Sequence, residues 1–99
     1  MTELEANIEN RIVRYVESIG GFALKLILAS ESGFADRVIL LPSELVIFIE
    51  IKRLEKSKTY FMQKIWQKRL QRRGFRSEFV KSLDDVKRII VEEQAKVGI

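Results

Sequence analysis

The stretch from Asp36 to Lys52, Asp-Arg-Val-Ile-Leu-Leu-Pro-Ser-Glu-Leu-Val-Ile-Phe-Ile-Glu-Ile-Lys, leaves the chain few ways to fold. Two apolar, β-branched runs, Val38 to Leu41 and Leu45 to Ile51, flank a Pro-Ser-Glu break. The pattern predicts a β-hairpin with Pro42 fixing the backbone where the turn begins. Alternation along the second strand sends Glu50 and Lys52 to one face and Ile49 and Ile51 to the other. If residues 42–44 form a three-residue loop, Leu41 faces Leu45 and Asp36 faces Glu50, which sets two carboxylates side by side. A two-residue loop would instead pair Asp36 with Ile49, and no glycine marks the turn type.

Like charges directly opposed on neighbouring strands destabilise a sheet. A divalent cation converts that repulsion into ligation, and two carboxylates with water and a substrate phosphate are a common way to hold Mg²⁺. Lys52, two residues beyond Glu50 on the same face, then adds a positive charge beside such an ion.

Composition narrows the chemistry further. The chain has 99 residues, enough for one domain over residues 1–99 with a single core. It has no cysteine and no histidine, which excludes disulfides, thiol nucleophiles, thiolate or imidazole metal sites and histidine bases. Carboxylates, lysines and a bound metal remain. The first residues lack the basic and apolar regions of a secretory signal, and no apolar run is long enough to span a bilayer, so an intracellular, cytoplasmic protein without membrane partners is expected.

Net charge is +4, and its distribution is informative. Residues 1–51 hold four Lys/Arg against eight Asp/Glu, residues 52–81 hold eleven against two, and residues 82–99 hold three against four. A basic segment adjoining an acidic pocket suits a protein that grips a phosphate backbone.

In chain order, Thr2 with Glu5 resembles a capping box. Leu4, Ile8, Ile12, Val16 and Ile19, with Tyr15 beside them, recur at helical spacing up to Gly20-Gly21. Glu5 and Glu9 share a face near this stripe, and spacing alone makes both solvated acids. Phe22 to Leu28 alternates as a half-buried first strand carrying Lys25, ordinarily a solvent-facing lysine. After a charged connector, Ser57 or Thr59 caps a helix running to about Arg73. Tyr60, Met62, Ile65, Trp66 and Leu70 are available to its packed side, and Gln63, Lys64, Gln67, Lys68, Gln71 and Arg72 to its other sides. Few acids there offer these cations helical partners, which favours DNA as the partner of Lys64, Lys68 and Arg72, together with Lys56 and Lys58. Phe75 to Val80 forms a last strand, parallel to the one before the helix, and Ser82 with Asp85 caps a final helix bearing Leu83, Val86, Ile89 and Ile90. The expected order is α-β-β-β-α-β-α, an α/β fold with a mixed sheet flanked by helices.

Asp36 followed by Glu50-Ile51-Lys52 on the next strand resembles the Asp…Glu-x-Lys core of the restriction-endonuclease-like, or PD-(D/E)xK, nucleases. With Glu9, Gly20-Gly21, Lys25, Gly33 to Arg37, Gln63, Trp66, Leu70 and Gly74, nearly the whole chain is similar to the virus-type replication-repair nuclease (VRR-NUC) domain. That family usually carries proline before the aspartate, where this chain has Ala35. The resemblance implies a metal-dependent DNA endonuclease in which Asp36, Glu50 and the Ile51 carbonyl hold Mg²⁺ or Mn²⁺ and Lys52 acts on the attacking water or the phosphate. It makes Glu9 a helper of the metal-water network, Gln63 an orienting residue near the site and Lys25 a phosphate contact. It also implies a homodimer acting on branched DNA such as four-way (Holliday) junctions, of bacterial or phage origin and without an organic cofactor. A DNA-binding module without catalysis, or a subunit docking an acidic protein through its basic helix, are the alternatives that the residues leave open.

Overall fold

The helical spacing of Ile8, Ile12, Val16 and Ile19 is realised as α1 (Glu3–Ser18) in the computed structural model, which describes residues 3–27, 33–52 and 58–98. Ile12 and Val16 are fully buried, with Ile8, Val13, Tyr15 and Ile19 packed around them. The chain leaves the helix through Gly20-Gly21. A Cβ on Gly21 would stand 2.6 Å from both the Leu40 carbonyl oxygen and Leu41 Cδ2, so the helix can approach the sheet this closely only with glycine there.

Three strands follow as an antiparallel meander, β1 (Phe22–Lys25), β2 (Arg37–Leu41) and β3 (Leu45–Ile51). The next helix, α2 (Lys58–Arg72), carries the chain to β4 (Arg76–Val80), which pairs with β3 in parallel, and α3 (Leu83–Lys96) completes the order. A parallel pair needs such a crossover. The result is the expected α-β-β-β-α-β-α fold around a mixed four-stranded sheet of order β1-β2-β3-β4. The hairpin register runs from Leu41↔Leu45 to Arg37↔Ile49, which is the three-residue-loop alternative. Ser43 and Glu44 accept left-handed backbone there, with φ of 67° and 62°, at a cost of roughly 1–2 kcal/mol each.

Alternation divides the sheet into two packed faces. On one, Ile39, Leu41, Ile47, Ile49, Ile51 and Val80 meet α1 and the buried Val86, Ile89 and Ile90 of α3. On the other, Phe48 lies edge-on to Phe34 and Phe75, and Phe34 edge-on to Trp66 of α2. Continuous apolar runs in β2 and β3 are what burial on both faces demands. At the start of α3 the Ser82 hydroxyl accepts the Asp85 amide (3.2 Å) while Asp85 Oδ2 accepts the Lys81 amide (2.9 Å), a reciprocal cap of the predicted kind.

Two expectations change. The first strand ends at Lys25, although the Leu26 amide still donates to Asp36 O (3.0 Å), and residue 28 lies outside the described residues. Within it Ala23 faces the core while Phe22 and Leu24 are exposed, because α2 lies against β4 at the far edge of the sheet. The second concerns Gln67 and Gln71, which are turned toward β4 and donate to Ser77 O at 3.1 and 2.9 Å. An edge strand leaves carbonyls without a strand partner, and these amides fill one. No described helix is long and apolar enough to cross a membrane.

Candidate active site

Asp36 immediately precedes β2, and its main chain is held from both sides. Its amide donates to Ile49 O (3.0 Å) and its carbonyl accepts from the Leu26 amide (3.0 Å). Its side chain makes a further bond, in which Oδ2 accepts the Ile51 amide at 2.8 Å, the position a backbone carbonyl would fill if the ladder continued. In a strand the N–H and C=O of one residue point to the same edge, so the Ile51 carbonyl is directed to the side where Asp36 lies. Glu50, one residue earlier, is only 6% exposed, and its Oε1 accepts Gln63 Nε2 at 2.7 Å. Lys52 leaves the strand with its amide bonded to Val80 O (2.7 Å) and its side chain in solvent.

The hairpin therefore gathers Asp36, Glu50, Ile51 and Lys52 at one end of the sheet, and α2 adds Gln63. The same helix also steadies the segment that delivers Asp36. Gly33 (φ 79°) sits so close to α2 that a Cβ there would collide with Met62, and Phe34 packs on Trp66 with ring centroids 5.0 Å apart. Between α2 and the sheet lies a small recess lined by Ala35, Glu50, Gln63, Trp66, Gln67 and Phe79, among others. The Trp66 indole N–H is buried there without a hydrogen-bond partner among the described residues.

Glu9 lies against the start of β2. It is 4% exposed, and its Oε1 is bound by Arg37 Nε at 2.7 Å, while Arg37 Nη1 reaches Ala23 O at 2.8 Å. Arg37 stands opposite Ile49 on the face covered by α1, whereas Glu50, one residue beyond Ile49, projects to the face of α2. Glu9 thus meets the hairpin through Arg37. The signal is present in the parity of β2: Arg37 shares a face with Ile39 and Leu41, and Glu9 shares a helical stripe with Ile12 and Val16.

The remaining candidates are spread over the surface. Lys25 is exposed and stands opposite Arg37. Lys64, Lys68 and Arg72 are exposed on α2, with Lys64 Nζ 5.6 Å from the Tyr60 ring centroid. Arg69, which spacing alone does not single out, lies 4.9 Å from the Trp66 centroid on the same helix. Lys56 and the side chain of Lys58 lie outside the described residues.

The donor set suits a hard divalent cation. Two carboxylates and a backbone carbonyl offer oxygen alone, the ligand type of Mg²⁺ and Mn²⁺. Among the described residues no group of three or more His, Cys, Asp or Glu side chains could hold a metal, so such an ion would complete its shell with water and substrate oxygens.

An α-β-β-β-α-β-α chain with an aspartate and a Glu-x-Lys at the end of its central hairpin has the arrangement expected of a restriction-endonuclease-like fold. More narrowly, it is similar to a solved structure described as "VRR_NUC domain", with a TM-score of 0.77 and 27% identity over 90% of this chain and 96% of that one. It is also 40% identical over 48 residues to "Putative nuclease p44" of Acyrthosiphon pisum secondary endosymbiont phage 1, a match covering 48% of this chain and 52% of the relative. The chain thus spans about half the length of that curated relative. No protein-family model matches. The fold of the chain is that of the VRR_NUC domain structure.

Proposed function

We propose that this domain is a metal-dependent DNA endonuclease that hydrolyses phosphodiester bonds at the site formed by Asp36, Glu50 and Lys52. The observation that carries the reading is the pairing of a buried Glu50 with the Gln63 amide at 2.7 Å beside an Asp36 whose carboxylate is pinned by the Ile51 amide at 2.8 Å. Each carboxylate has one oxygen fixed by a donor, which orients the other. Asp36, Glu50 and the Ile51 carbonyl would hold Mg²⁺ or Mn²⁺. When bound, that ion supplies Lewis acidity and offsets charge growing on the phosphate. Lys52 brings its ammonium to the phosphate and orients the attacking water, and Gln63 fixes the Glu50 rotamer. Glu9 acts by holding Arg37, the residue next to Asp36. The cations of α2, with Lys25, Lys56 and Lys58, grip the DNA backbone.

Likeness to the VRR-NUC domain supports branched DNA, such as a four-way junction, as the substrate, cut by a homodimer with two sites on opposed strands. The phage relative supports action inside a bacterial cell. The test is cleavage of labelled junction, flap and linear duplex DNA with Mg²⁺, Mn²⁺ or EDTA, with Lys52→Ala run beside the wild type. Metal-dependent cutting that disappears in Lys52→Ala is expected. Binding without cutting under either metal would replace this reading with a DNA-binding module.

A further inference from the structure

α2 holds five Lys/Arg and no Asp or Glu. Its inner side is already committed: Leu70 is buried, Gln63 holds Glu50, and Gln67 and Gln71 hold Ser77 O. On the opposite side stands Phe61, 64% exposed, followed at helical spacing by the exposed Lys64, Lys68 and Arg72. A phenylalanine presented to water among cations adds nothing to the core. It is, however, half of a single-strand binding surface, because cations follow a phosphate backbone while an aromatic face stacks on a base. In a duplex the base faces cover one another, so only an unpaired nucleotide has a face to offer. Gln63 lies in the first two turns of the same helix, so Phe61 marks the end of the stripe nearest Glu50.

Resting on the nuclease reading above, we propose that Phe61 is a stacking site for an unpaired base of single-stranded DNA adjoining the cleaved bond, with Lys64, Lys68 and Arg72 along the neighbouring phosphates. This site would let the enzyme distinguish branched or tailed DNA from an uninterrupted duplex. It would do so without reading sequence, since every base has a π-face.

The experiment is fluorescence anisotropy in EDTA with two probes, a fully paired duplex and the same duplex bearing a single-stranded tail that contains 2-aminopurine. Phe61→Ala is expected to weaken binding of the tailed probe about tenfold and leave duplex binding unchanged. Phe61→Trp is expected to restore tailed binding, and the wild type to quench the 2-aminopurine emission. Thermal melts check that both variants fold. Equal losses on both probes, no loss on either, or a wild type that binds neither would overturn the stacking site. Because no metal is present, the result is independent of cleavage: tail preference without metal-dependent cutting would sink the nuclease reading alone.

Discussion

The side-chain amide of Gln63 donates to Glu50 Oε1 across 2.7 Å, joining the helix that follows the hairpin to the carboxylate at the hairpin's end. Gln67 and Gln71 continue the same row, yet both end on a main-chain carbonyl of β4. One residue type at successive turns thus does two jobs, holding a buried carboxylate and docking the helix.

That difference separates their variants. Gln63→Ala should lower the cleavage rate about 10–100-fold, the usual effect of removing a partner that orients a metal ligand. Gln67→Ala and Gln71→Ala should each cost roughly 0.5–1.5 kcal/mol of stability, since Ser77 O keeps the other donor, and leave cleavage near wild type. Rates under single-turnover conditions and urea denaturation of the three variants check this. Equal rate losses in all three would mean that Gln63 acts only by docking the helix.

Glu9 and Arg37 form an ion pair whose side chains are 6% and 16% exposed. Removing one partner of a buried pair leaves the other charge uncompensated, so Glu9→Ala should destabilise the fold by about 3–5 kcal/mol. Replacing both, as Glu9→Leu with Arg37→Met, should recover most of that loss. The double-mutant cycle by urea denaturation measures the coupling, and strictly additive effects would show that the pair contributes nothing as a pair.

How much of the fold and site is legible in the sequence depends on whether the deciding interaction is local. Alternation in β3 sets Glu50 on the face opposite to Ile49 and Ile51, helical spacing in α1 gives Ile12 and Val16, and one choice of loop length gives the register from Leu41↔Leu45 to Arg37↔Ile49, although the expected Asp36–Glu50 pair gives way to an Asp36 amide bonded to Ile49 O. All of these are properties of a single element or a single turn. What escapes are side chains whose partners come from a third element. Polarity places Gln67 and Gln71 toward solvent, because nothing in their own helix reveals that an edge carbonyl of β4 lies within reach. The Glu9–Arg37 ion pair joins α1 to β2, so each element's parity turns its residue to the right face, but only the packing of the two brings them together. The exposed side of β1 is equally hidden, because which half of the sheet α2 covers is a tertiary fact.

A second ion-pair cluster, away from the hairpin, makes the fold sensitive to acid. Arg76 at the start of β4 binds Glu92 (2.8 Å) and Glu93 (3.1 Å) of α3 and Glu78 of its own strand (3.0 Å). The Arg76 hydrogen bond holds Glu92 below the ordinary carboxylate range. For Glu93 burial pushes upward, but hydrogen bonds from Lys96 and Arg76 outweigh it and the net direction is down. Burial likewise opposes the Arg76 charge, and Glu92 and Glu93 reverse that, so it stays protonated under all working conditions. Groups whose pKa is depressed by folding stabilise the native state above their unfolded pKa, and that contribution is lost as pH falls through the folded value. Stability should therefore fall from about pH 5 toward pH 3. Arg76→Met should flatten that slope while lowering stability at neutral pH. Urea denaturation of wild type and Arg76→Met across this range is the measurement, and parallel curves would remove the cluster from the account.

The two roles of Asp36 can be pulled apart by choice of substitution. Its Oδ2 accepts the Ile51 amide at 2.8 Å, a structural bond, while its charge is what a divalent cation would require. Asp36→Asn keeps an oxygen that can accept the same amide but removes the charge. Asp36→Ala removes both and leaves a part-buried N–H without an acceptor, at a cost of about 1–3 kcal/mol. Both variants should lose metal-dependent cleavage, and both should lose any thermal stabilisation that Mn²⁺ gives the wild type. Only Asp36→Ala should melt lower in EDTA. If Asp36→Asn also melts lower without metal, the Asp36 charge stabilises the hairpin by itself; if it still cuts DNA, Asp36 does not hold the ion.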